Sequence, residues 1–134
     1  MATLTEIRQA IALAIQPADL TIYSYRPAVI NAPAAIIFPR SGIYHQAYEG
    51  DINYEFVVHC LSNVPDNETA QESLDGLLDL SSPTSLFVLL SADPTFGDVV
   101  QSSQVSGFDN YSETVLADGG TVYISAELTV EVFA

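Results

Sequence analysis

Along residues 121–133 apolar and polar positions alternate without a break. Val122, Ile124, Ala126, Leu128, Val130 and Val132 fall on one parity, and Thr121, Tyr123, Ser125, Glu127, Thr129 and Glu131 on the other. Successive side chains of a strand point to opposite faces, so the pattern predicts a strand with one face on a core and one face wet. At about 3.3 Å per residue the run spans about 40 Å, longer than the usual strand of about five or six residues. That length predicts a spine against which several other strands pair. Glu127 and Glu131 put carboxylates on its outer face.

Helical spacing governs residues 3–15, where Leu4, Ile7, Ile11, Ala14 and Ile15 recur on one side. Thr3 and Glu6 stand at the spacing of a capping box, and Pro17 stops the helix. Residues 20–25 read as a short strand. Residues 34–38 are a continuous apolar run between Pro33 and Pro39, which predicts a strand buried on both faces or lying against a helix.

The pattern then breaks over residues 40–51, which hold Gly42, Tyr44, His45, Tyr48 and Gly50 and predict a long hairpin loop of the kind that carries contacts. Alternation returns at 52–61. Residues 66–80 predict a second helix, with acids in its first turns and a stripe of Ala70, Leu74, Leu77 and Leu78. Ser82 and Pro83 signal a third, short helix running to residue 91. Residues 98–107 read as a strand and 110–120 as an exposed polar loop.

The resulting order is α-β-β-β-α-α-β-β. It predicts an α+β fold, a mainly antiparallel sheet of about five strands with helices packed on one face. The length of 134 residues suits a single domain over 1–134.

Charge narrows the partners. Seventeen acids stand against three arginines, Arg8, Arg26 and Arg40, with no lysine, for a formal charge of -14. Binding DNA through its phosphates requires clustered cations, so this composition argues against it, while DNA passing without being held remains compatible. Cys60, the single cysteine, lies in an alternating run and reads as a small core residue. The first residues lack a basic segment followed by an apolar one, and no apolar run reaches the roughly 18 residues of a membrane span, so the expectation is a soluble chain without a signal peptide.

No motif carries catalysis. The candidate ligands His45, Glu49, Asp51, His59 and Cys60 lack the spacing of a zinc or calcium site, and Asp51, Asn53 and Glu55 are followed by Phe56 where a calcium loop needs glycine. The serines lack a glycine-flanked elbow, and Gly119 and Gly120 precede a strand, as in a hairpin turn, instead of a helix. Tyr44 and Tyr48 suit either interface anchors or the domain's own core. The expectation is a chain with no catalytic residue, cofactor or metal.

Several stretches together resemble the tail terminator proteins of long-tailed bacteriophages: TLTEIRQAIALAI, PAAIIFPRSGIYHQAY, NYEFVVHCLSN, AQESLDGLLD, SLFVLLSADPTFGDVV and TVYISAELTVEVFA. The likeness covers nearly the whole chain and is one of layout. It implies a homohexamer ring on the end of a finished tail tube, which halts polymerisation and offers a head-joining surface. The implied partners are further copies of the chain, the tail tube protein and a stopper or connector, with DNA sliding through. The implied location is the virion neck, reached from the host cytoplasm during assembly.

Family members make their contacts through loops, which match residues 40–51 and 110–120 here. Arg40, Tyr44, His45, Tyr48 and Tyr111 are the candidate subunit or tube contacts, with Arg40 expected to pair with an acid of an adjacent chain. Another neck component, a stopper or head-completion ring, is the alternative. A small-ligand module or hydrolase is the rival from a different class.

Overall fold

The computed structural model describes residues 3–18, 20–25, 33–45, 51–62, 67–115 and 122–133. Helix α1 spans Leu4–Ala14, β1 Thr21–Tyr23, β2 Ala34–His45, β3 Asp51–Ser62, α2 Asn67–Leu78, α3 Leu86–Ser91, β4 Ser102–Val115 and β5 Val122–Phe133. The strands form one sheet in the order β1-β2-β3-β5-β4, antiparallel throughout except where β1 runs parallel to β2. This is the α+β fold that the sequence predicts.

Register explains which face is the core. Ala35 lies opposite Cys60 and Cys60 opposite Ala126; Ile37, Val58 and Leu128 form the next row, and Phe56 with Val130 the one after. All of these residues are buried in one cluster with Ile7 and Ile11 of α1, Leu74 of α2, and Leu86 and Leu90 of α3. The three helices therefore cover a single face of the sheet. Thr3 caps α1 as its spacing predicts, its hydroxyl accepting from the Glu6 backbone N–H at 3.1 Å.

The opposite face differs from its prediction. Tyr123 and Ser125 of β5 are only 4% and 1% exposed, so this parity is not wet along its whole length. Tyr123 joins Ala34, Ile36 and Leu61 in a second apolar cluster, flanked by Tyr23 and Phe38. Such a cluster is what a strand buried on both faces produces, and 34–37 of β2 is one: all four residues are buried.

Four boundaries are corrected. Strand β2 does not stop at Pro39; Pro39 lies opposite Phe56 and the ladder shifts before Ser41. A bulge tolerates a residue without an N–H, and β1 pairs with β2 only as far as Ile36, so the proline interrupts no second ladder. Residues 40–45 are thus strand and not loop, and Asp51 already belongs to β3. Strand β4 likewise continues through residues predicted as loop, to Val115. Its register shifts between Val105 and Gly107 and between Asp109 and Ser112, and each shift resets the parity that a sequence pattern relies on. Helix α3 begins after Ser85, whose hydroxyl accepts from Val88 N–H at 3.2 Å, and not at Ser82. The expected turn at Gly119 and Gly120 lies outside the described residues.

Arg8 closes the seam where β1 leaves β2. Its Nη1 donates to the carbonyls of Ser24 at 2.6 Å and Ile37 at 3.2 Å, and its guanidinium lies 4.4 Å from the centre of the Tyr25 ring. One of the few cations is therefore spent on the fold.

Cys60 is fully buried, and loss of water pushes its thiol up to about 12. We expect a thiol reagent at neutral pH to label the native chain only as fast as the sheet opens, and the urea-unfolded chain at the rate of a free thiol. Equal labelling of native and unfolded chains would contradict the placement.

Candidate functional site

Beyond its apolar cluster, the sheet face away from the helices is dominated by carboxylates. Glu55 of β3 lies directly opposite Glu131 of β5, and Glu127 of β5 opposite Asp109 of β4. Like charges at opposed positions destabilise a sheet, so the four acids need compensation. Arg40 supplies most of it. The bulge after Pro39 sets its side chain over the face, where Nη1 meets Glu55 Oε1 and Nη2 meets Glu127 Oε2, both at 2.8 Å.

Arg40 thus ties β2 to β3 and, across β3, to β5. The hydrogen bond to Glu55, with the nearby charges of Glu127 and Asp109, holds the guanidinium above its ordinary pKa. Amides complete the network: Gln104 Nε2 donates to Glu131 Oε2 at 2.9 Å and Asn110 Nδ2 to Glu127 Oε2 at 3.3 Å. Asn110 has φ 54, a left-handed conformation that Asn adopts more readily than most residues, and it stands at the second β4 shift.

Both acids that Arg40 meets within the chain, Glu55 and Glu127, lie on neighbouring strands of its own sheet. Arg40 is the one cation on this face among the described residues. Among the described side chains the face consequently carries four carboxylates against one guanidinium, which leaves it anionic. Among the described residues it offers no cluster of cations for a phosphate.

Tyr111, expected in a loop, lies in β4 and turns to the other side of the sheet. Its hydroxyl donates to Asp75 Oδ1 of α2 at 2.7 Å, and burial together with that carboxylate pushes its pKa up to about 12. The structure therefore does not bring Arg40 and Tyr111 together. Tyr44 and His45 occupy the end of β2, opposite Ile52 and Asp51. The side chains of Tyr44 and His45, and Tyr48 altogether, lie outside the described residues.

Sequence reasoning missed the exposed apolar residues at the two edges. Phe108 of β4 is 52% exposed beside Tyr111, and Ile43 of β2 is 59% exposed. Their signal was an apolar residue within a stretch too polar to form a core. Among the described residues no three His, Cys, Asp or Glu side chains converge to hold a metal ion, and no helix is long and apolar enough to cross a membrane. No family model matches the chain, and no curated protein matches it.

Removing the guanidinium leaves two opposed carboxylate pairs facing each other. Arg40→Ala should lower stability by about 1 kcal/mol in urea unfolding at low ionic strength, and by less as salt screens the face. Unchanged stability at low salt would show that the bridge does not hold the sheet.

Tyr111→Phe tests the other side. It should cost about 1 kcal/mol, at the low end for a bond to a charged group because water reaches the site. A pKa raised in the folded state gives stability that is present below the unfolded value near 10 and lost as pH rises towards about 12. The gap between wild type and Tyr111→Phe should therefore close over that window; a gap unchanged by pH would contradict the bond.

Proposed function

We propose that this chain is a structural ring subunit of a long-tailed phage neck, which caps the finished tail tube, stops its polymerisation and provides the head-joining surface. The anionic sheet face carries the reading. A wall with four carboxylates, whose one described cation is already paired, gives DNA phosphates no site at which to displace counterions, so a polymer passing it is not retained.

Ring closure is the second requirement. Copies that each carry -14 repel one another, so contacts between them must be largely apolar. Exposed Ile43 on β2 and Phe108 on β4 lie towards opposite edges of the sheet. A head-to-tail ring needs two different patches of this kind on each subunit, whereas a two-fold dimer reuses one. The extended resemblance to tail terminators supplies the rest: a homohexamer, the tube protein on one side and a stopper or connector on the other, within the virion.

Purified chain added to growing tail tubes should shorten them in proportion to the amount added and leave a ring at one end in electron micrographs. Tubes of unaltered length would sink the terminator reading, and capture instead by portal-bearing heads would assign the chain to the stopper position.

A further inference from the structure

A concavity lies on the helix side, away from the anionic sheet face. A groove of about 450 Å³ opens between α1 and the segment formed by α3 and the turn that follows it. Its floor is apolar: Ala10 and Ala14, one helical turn apart on α1, face Leu89, Phe96 and Val99. The two alanines leave a slot where larger side chains would have closed the gap between the helices. Leu13 stands on the rim at 69% exposure, although burial is the ordinary fate of a leucine on a helix that packs against a sheet.

The wall opposite α1 is built at a conformational cost. Phe96, Gly97 and Asp98 have φ of 51, 70 and 66, three consecutive left-handed residues of which only one is glycine. Asp93 holds the turn: one carboxylate oxygen accepts from the Thr95 N–H and hydroxyl at 3.2 and 2.9 Å, the other from Gly97 N–H at 2.8 Å. This conformation sets the Phe96 ring, 7% exposed, beneath the groove.

We propose that this groove docks a segment of a different protein, one presenting an apolar side chain beside a lysine or arginine. The charge of the rim selects the cation. Glu6 and Asp93 flank the groove, and no basic residue lines it among the described residues. Asp93 accepts three bonds of the roughly four its two oxygens can take, and the donors that hold it also keep it ionised, so a cation can still approach.

A second copy of this chain is disfavoured by charge: it carries -14 with no lysine, and its Arg8 and Arg40 are already bound to Ser24 and Ile37 and to Glu55 and Glu127. The groove thus adds a second contact surface on the layer opposite the anionic face, and it does not depend on the ring reading.

The test is titration of the isotope-labelled full chain with two short synthetic peptides, one alternating leucine and lysine, the other leucine and glutamate, followed by amide resonances. The leucine–lysine peptide should shift Ala10, Leu13, Leu89 and Phe96, and the leucine–glutamate peptide should shift none of them. Leu13→Lys, a change at an exposed position, should weaken binding by at least about tenfold. Ser73→Lys, the same charge change on the exposed side of α2, should leave it within about twofold. A leucine–lysine peptide that does not bind, shifts scattered over the acidic surface, or equal weakening by both substitutions would overturn the proposal.

Discussion

Strand β5 is held between β3 and β4, and the rest of the molecule depends on that placement. Its register sets one parity, from Ile124 to Val132, in line with Cys60, Val58 and Phe56 of β3, and the resulting apolar rows are what the three helices cover. The same register lines up the other parity and so places Glu127 against Asp109 and Glu131 against Glu55. A slip by one residue would exchange the faces, so burial of the first parity enforces the electrostatic conflict on the second. Arg40, Gln104 and Asn110 are the response to that conflict. The core and the anionic face are thus two consequences of one pairing.

The scarcity of cations gives each of the two described arginines a visible use. Arg8 seals the seam between β1 and β2 with two carbonyl bonds and the Tyr25 ring, and Arg40 joins three strands. Neither is left as a free point of attraction for phosphate. What the surface offers a partner instead is apolar area at the sheet edges and carboxylates around a groove, which suits protein contacts in which the other side brings the positive charge.

Legibility in the sequence followed periodicity. The parity of β5, the Thr3 cap of α1 and the doubly buried start of β2 were readable because each is a local pattern that burial or capping enforces. Reading failed where a bulge reset the count. Pro39 looked like an end because proline has no N–H, yet it stands beside a register shift on a length of strand that β1 does not pair. Strand β4 looked like a loop beyond Gly107 because an edge strand buries little, and its two shifts erase alternation. The contact of Arg40 with Glu127 joins residues 87 positions apart and follows only from the strand order, which no local pattern encodes. Tyr111 was chosen as an exposed loop aromatic; its bond to Asp75 required the knowledge that β4 passes beside α2.

Electron cryo-microscopy of the assembled chain at physiological salt is the most direct measurement of the account. The expected result is a closed ring in which Glu55, Glu127 and Glu131 face the channel and the helices face outward. A chain that remains monomeric at assembly concentrations, or a ring with its helices towards the channel, would contradict it.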